Sequence, residues 1–400
     1  MRRCALRTRA ARNIYPADTA LSLPAGRASH GLRRLAVLEA VRGSFDAATA
    51  AITRRCGKVV GKRQVEGLIV ASACDIDAFY QARIAACCTK EVLLVISVDA
   101  KGIVMSPGAL REATLKAAVK RRGVFRTRLA SGEKQARKRM ATLGTVYDAA
   151  PAVRRPHDVI ALPGGRTGER ELRPGPKASG KWLTGSVAAD AAHVVADVFA
   201  QAASRDSGHD RCWVVLVDGA RHQIELIRAE AERRGARIHI VVDLIHVLEY
   251  VWKAAFCLHS ADDPAAEDWV AVHALAILTG AAVQVADHIE QQADTAGLKA
   301  DERRGADACT GYLRAKAEFL HYETALAAGW PIATGVIEGA CRHLIADRLD
   351  ITGARWGLAG AEAIRKLRAL ESNGDLDPYF TYHLAREHQR VHQDEYTLTA

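Results

Sequence analysis

Two apolar stretches of β type, residues 91–98 and 212–217, each run straight into an aspartate, and this constrains the fold more than any other feature of the chain. The first ends in Ile96-Ser97-Val98-Asp99-Ala100-Lys101-Gly102 and the second in Val217-Asp218-Gly219-Ala220-Arg221-His222-Gln223. A strand that stops at a carboxylate puts it at a sheet edge, where it reaches a cleft without being buried unpaired. A third acid, Glu338, falls in the first turn of a helix expected over 336–348, in Val336-Ile337-Glu338-Gly339-Ala340-Cys341-Arg342-His343. Three carboxylates so placed suggest one metal site, and hard oxygen ligands suit magnesium or manganese. Each acid alone has an ordinary explanation. Aspartate before Gly or Ala is common turn chemistry, and the helix dipole favours a first-turn glutamate.

The formal charge of +10 favours an anionic partner. In a basic chain, three such acids point to two-metal chemistry on phosphodiester bonds. Eleven Lys or Arg lie between residues 111 and 139, Arg121, Arg122 and Arg126 among them, against Glu112 and Glu133. Because this run follows the first acid, it is expected to track DNA phosphates rather than serve only as a solvated face. The 400 residues, 49% hydrophobic, allow two or three domains and a sizeable core. Nine cysteines form no C-x-x-C pair and lie in apolar surroundings, so they read mostly as small core residues in a reducing cytoplasm. The basic start leads into no long apolar segment, and the stretch 271–286 is too short to span a bilayer. No membrane segment is expected.

Three amphipathic helices are expected over 32–41, 46–55 and 62–73, with Gly57 between the second and third. Two short helices joined by a Gly-containing turn resemble a helix-turn-helix, whose second helix would present Lys62 and Arg63 to a DNA groove; a plain three-helix bundle fits as well. Strands are expected over 91–98, 102–106 and 141–147, then a loop over 151–181, a helix over 187–203, a strand to residue 217, a helix over 221–234 and a strand over 237–242. Residues 244–326 read as almost all helix. This is an α/β pattern, a mixed sheet flanked by helices and interrupted by a helical insertion. Two near-motifs fail. Gly175-Pro176-Lys177-Ala178-Ser179-Gly180-Lys181-Trp182 has Trp182 where a phosphate-binding loop needs Ser or Thr, and His246-Val247-Leu248-Glu249-Tyr250 lacks the second His of a zinc protease.

Taken together, the Asp99 and Asp218 motifs, the run from Gly329-Trp330-Pro331 through His343, and Asp350-Ile351-Thr352-Gly353-Ala354-Arg355-Trp356-Gly357 resemble bacterial insertion-sequence transposases of the ISKra type. The likeness covers nearly the whole chain. It departs at Ala100, where Gly is expected, and in a short Arg-rich start. The resemblance implies an RNase H-like catalytic core, with Asp99, Asp218 and Glu338 as metal ligands for two divalent ions. It also implies a helical insertion between the second Asp and the Glu, and element-end and target DNA as partners of a homo-oligomer. Asp243 and His246 resemble the Asp-x-x-His signature of Mutator-like transposases; Asp243 also suits a helix cap, and either Asp243 or Glu249 could replace Asp218. Arg342, Arg355 and Trp356 would contact DNA near the cut, with Trp356 stacking on a base unless it is core. The resulting domain plan is 1–86 for DNA binding, 87–243 and 331–400 for the catalytic core, and 244–330 for the insertion. A nuclease without strand transfer and an inactive DNA-binding relic are the alternatives.

Overall fold

The computed structural model describes residues 5–6, 15–83, 88–120, 138–161, 163, 172–260, 262–351 and 353–393, with the side chains of 118–120 excepted. Five strands, β1 (Leu93–Val104), β2 (Lys138–Ala149), β3 (Ala178–Ser186), β4 (Trp213–Val217) and β5 (Ile238–Val242), form one mixed sheet in the order β3-β2-β1-β4-β5. β1, β2 and β3 are antiparallel neighbours, while β4 and β5 run parallel to β1. The all-apolar β4, Trp-Val-Val-Leu-Val, is buried at every residue, as a parallel strand covered on both faces requires.

Three expectations for the sheet need correction. The stretches 91–98 and 102–106 are one strand. β1 runs unbroken through Asp99 because β2 pairs with it along its whole length, Asp99 standing opposite Leu143. What ends near Asp99 is the neighbour on the other side, since the β1–β4 register stops at Ser97 and Leu216. The expected loop to residue 181 also hides β3, a polar strand whose apolar side chains are few. Its first residues belong to the near-motif ending in Trp182, which is therefore strand and not a loop opening a helix. The following helix begins at Ala191, where the Asp190 carboxylate accepts from the His193 amide.

The amino-terminal helices fall where expected, at His30–Arg42, Phe45–Cys56 and Lys62–Ser72. Ser29 and Ser44 cap the first two, and Gly57 at φ 76° ends the second. Residues 244–327 are helical, dominated by Leu244–Leu258, Ala265–Leu278, Ala282–Thr295 and Arg304–Lys316. Two apolar cores divide the molecule. One joins the helical segment and the Ala191–Arg205 helix to the parallel part of the sheet. The other packs the amino-terminal helices, the Glu338 helix and the Leu358–Ser372 and Leu376–His392 helices against the far ends of β1 and β2. Residues before 83 thus share their core with residues after 337. Cys309 and Cys341 are buried as expected of core residues, but Cys56, Cys74 and Cys88 are exposed.

Candidate metal centre

Asp99 and Asp218 occupy equivalent places along adjacent parallel strands, each two residues beyond the last paired residues, Ser97 and Leu216. Asp243 follows β5 in the same way, one strand further out, its amide donating to the Val217 carbonyl (2.8 Å). Three aspartates therefore line the carboxyl edge of β1, β4 and β5, where ligand sites of open α/β sheets lie. Local bonds hold them. The Ala220 amide donates to Asp218 Oδ1 (2.8 Å) and the Ala100 amide to Asp99 Oδ1 (2.6 Å). Gln223, last residue of the Asp218 motif, donates its side-chain amide to the Val98 carbonyl (2.6 Å), tying the two acid-bearing segments together.

Glu338 reaches this edge from a helix that packs across β1 and β2. That helix starts as Gly335–Ala340 and widens to a π turn at Cys341–Ala346, a local irregularity frequent at functional sites. Cys341, one turn after Glu338, donates its thiol to Asp99 Oδ2 (3.1 Å). On the other side the Thr334 hydroxyl lies 2.5 Å from Asp243 Oδ2 and 3.1 Å from Glu338 Oε1. A hydroxyl has one proton to give, so these two carboxylates compete for it. Ligand atoms of Asp243, His246 and Glu338 all lie within 4.8 Å of one another. Asp243 also caps the Leu244–Leu258 helix, accepting from the Ile245 amide (3.0 Å), and lies 3.3 Å from His246 Nδ1. Its cap role and its place beside Glu338 coexist. Glu249 is exposed on that helix.

The electrostatics single this edge out. Elsewhere among the described residues, Asp148 holds Arg205 (2.9 Å) and Arg211 (2.6 Å) and Asp75 holds Arg390 (2.7 Å), while the buried Asp206 is satisfied by two backbone amides and the Trp213 indole. Asp99, Asp218, Asp243 and Glu338 have no Lys or Arg ion-pair partner among the described residues, although Asp243 is 0% exposed as a side chain. Their field is felt by neighbours. Burial, then the Asp99 charge and hydrogen bond, and further off the Glu338 charge, push the Cys341 thiol well above its ordinary range. Burial does the same to the Tyr312 phenol, helped by Tyr250, Asp218, Asp243 and Glu249.

The expected DNA contacts divide. Lys62 and Arg63 are exposed at the start of their helix, Lys62 paired with Asp46 (2.6 Å). Arg342 and Arg355 are exposed, Arg342 four residues beyond Glu338 and 3.7 Å from Asp347. Trp356 is not available for base stacking. It is 6% exposed, donates its indole N–H to the Leu349 carbonyl (3.0 Å), and lies between Phe45 and the Arg348 guanidinium. The basic run is only partly placed, because Arg121, Arg122 and Arg126 lie outside the described residues. At its end Arg139 is buried, spending its guanidinium on the carbonyls of Val187, Ala109 and Ala188, and Lys138 pairs with Asp350. Sequence reasoning also gave no role to Thr334, Cys341, Gln223 or Tyr312; the first three stand within the Glu338 and Asp218 motifs, while no local signal marks Tyr312.

Comparison with models of known protein families finds none that matches the chain, and comparison with curated proteins finds no match either. Among the described residues no helix is long and apolar enough to cross a membrane.

Proposed function

We propose that the chain is a metal-dependent DNA transposase of the RNase H-like class, cutting a strand at each end of its element and joining the freed 3′ hydroxyl to target DNA. One observation carries the reading: Asp99, Asp218, Asp243 and Glu338 meet at one sheet edge with no Lys or Arg ion-pair partner among the described residues, although the Asp243 side chain is fully buried, in a protein of charge +10. A fully buried carboxylate such as Asp243, with no cationic side chain beside it among the described residues, is costly unless a cation joins it. The sheet order, the resemblance in the three acidic motifs and the basic surface point the same way.

The donors that come within 4.8 Å of one another, Asp243, His246 and Glu338, are two carboxylates and an imidazole and suit a divalent ion; Asp99 and Asp218 do not belong to that group. Asp99, Asp218 and Glu338 would hold magnesium or manganese, with Asp243 and His246 as further donors beside Glu338. When bound, two such ions supply activation of the attacking oxygen and stabilisation of the leaving one. The chain's own part is positioning. Gln223 and Cys341 hold Asp99 and its strand beside the segments carrying Asp218 and Glu338, and Thr334 fixes Glu338 against Asp243. Arg342, one turn beyond Glu338 on the same helical run, and the exposed Arg355 would meet phosphates; Lys62 and Arg63 would contact element ends from the amino-terminal helices.

Asp99→Asn, Asp218→Asn and Glu338→Gln each remove a ligand charge and little volume. Each is expected to abolish magnesium-dependent cleavage of element-end DNA while gel-shift affinity stays within about threefold, roughly the scatter of one exposed contact. Full cleavage by any of these variants removes that residue from the ligand set, and cleavage without a joined product reduces the activity to that of a nuclease.

A further inference from the structure

We infer that Tyr312, carried by the helical segment, is a positioning residue for Asp218, so that this segment is a working part of the metal centre and not a separate attachment. The inference rests on the metal-site reading above and adds to it a dependence on a residue ninety-four positions away.

The Tyr312 hydroxyl donates to the main-chain carbonyl of Asp218 (3.1 Å). It does so through the space in front of Gly219, where a Cβ would come within 2.7 Å of the Tyr312 oxygen. Gly219 is also at φ +92°, a conformation side chains resist. The glycine of the Asp218 motif therefore answers two demands at once, a turn after the strand and access for the phenol. The Tyr312 ring is held in turn. It stacks on Tyr250 with centroids 4.1 Å apart and planes at 14°, and the Lys253 ammonium sits 4.4 Å from the Tyr250 centroid. Tyr250 belongs to the same helix that Asp243 caps. Two helices thus present a rigid aromatic pair to the strand end that carries Asp218. Among the described residues the Asp218 carboxylate is held only by its own turn, through the Ala220 amide, so anchoring of its carbonyl from outside decides where that turn sits. Tyr312 does not reach the carboxylate oxygens; it acts through the backbone.

The test is manganese binding by the full-length protein, followed by titration calorimetry alongside thermal unfolding in chelator. The variants are Tyr312→Phe, which deletes the hydroxyl and keeps the ring, Tyr250→Ala, the double variant, and Asp218→Asn as control. Asp218→Asn is expected to lose binding. Tyr312→Phe is expected to bind about three- to tenfold more weakly, the size of one lost hydrogen bond, with its unfolding midpoint within a few degrees of the parent's. Tyr250→Ala should weaken binding too, and the double variant should be little worse than the stronger single, because Tyr250 acts through Tyr312. Parent-like affinity in Tyr312→Phe, when Asp218→Asn has lost binding, overturns the positioning role alone. Parent-like affinity in Asp218→Asn overturns the metal-site reading and this inference with it. An additive double variant shows that Tyr250 acts independently and overturns the stacked relay.

Discussion

Asp75 and Asp243 are both almost wholly enclosed aspartates, yet their partners assign them opposite kinds of work. Asp75 accepts from Arg390 through both oxygens (2.7 and 2.8 Å) and lies 2.6 Å from His383 Nδ1, binding residue 75 to the carboxyl-terminal helix. Burial alone would raise its pKa, but the hydrogen bonds and charges of Arg390 and His383 outweigh it and bring the carboxyl down to about 2. A carboxyl depressed on folding stabilises the native state above its unfolded value near 4, and that contribution is lost as the pH falls through about 2. The thermal midpoint of the parent is therefore expected to exceed that of Asp75→Asn at pH 7, with the gap closing between about pH 4 and pH 2. A gap that stays constant over that range would remove Asp75 from the linkage. Asp243 has a helix amide, a shared hydroxyl and a histidine, but no Lys or Arg among the described residues. At residue scale, this missing counter-charge distinguishes the candidate site from structural ion pairs.

The elements matter because they deliver these residues from distant places. The Leu244–Leu258 and Arg304–Lys316 helices meet where Gly305 faces the turn of Lys253 and Cys257; a Cβ there would lie 2.1 Å from the Lys253 carbonyl oxygen. No side chain can take that position without parting the helices. Gly305→Ala is expected to destabilise the protein by about 1–3 kcal/mol, as overpacking does, read from urea unfolding. It should also weaken manganese binding, because the helix it displaces carries Tyr312. Unchanged stability would show that the pair accommodates the methyl by sliding, and that this contact does not fix their spacing. On the sheet, β1 continues past its parallel neighbour and exposes only Asp99, Ala100 and Lys101 in its middle. The strand need not stop for a carboxylate to emerge; losing one neighbour is enough.

Over the whole molecule, the amino-terminal helices do not stand apart. Val37, Ile52, Val65 and Ile69 are fully buried in the core that also holds Leu344, Ile364 and Tyr379, and the Tyr379 hydroxyl donates to the Ser72 carbonyl (2.7 Å). Arg348 lies over Phe45 and donates to the Ala40 carbonyl (3.0 Å). An isolated fragment of residues 1–86 would expose that apolar face to water. It is expected to show little cooperative unfolding by circular dichroism, whereas the full chain unfolds cooperatively. A well-folded fragment would restore the view of this region as an independent DNA-binding unit. For end recognition by Lys62 and Arg63, substitutions in the full chain are the sound comparison.

Much of this was legible in the sequence, and for identifiable reasons. Long local signals carry through: the helices over 244–327, the three amino-terminal helices, the apolar β4 and β5, and acids at the ends of apolar runs each depend on neighbours a few residues away. Short or polar signals do not, which is why β3 reads as loop and why β1 reads as two strands divided at its exposed middle. Trp356 shows the same limit, since an aromatic beside arginines reads alike whether it meets a base or fills a core. The sequence alone supplied three acidic motifs and a basic balance. The tertiary structure decided that Cys341 bridges to Asp99, that one Thr334 hydroxyl serves two carboxylates, and that Tyr312 reaches Asp218 past a glycine. Apart from Thr334 to Glu338 within one turn, those contacts join residues some ninety to two hundred and forty positions apart. Periodicity reports only which face of an element is apolar, so which distant groups meet there is fixed by packing.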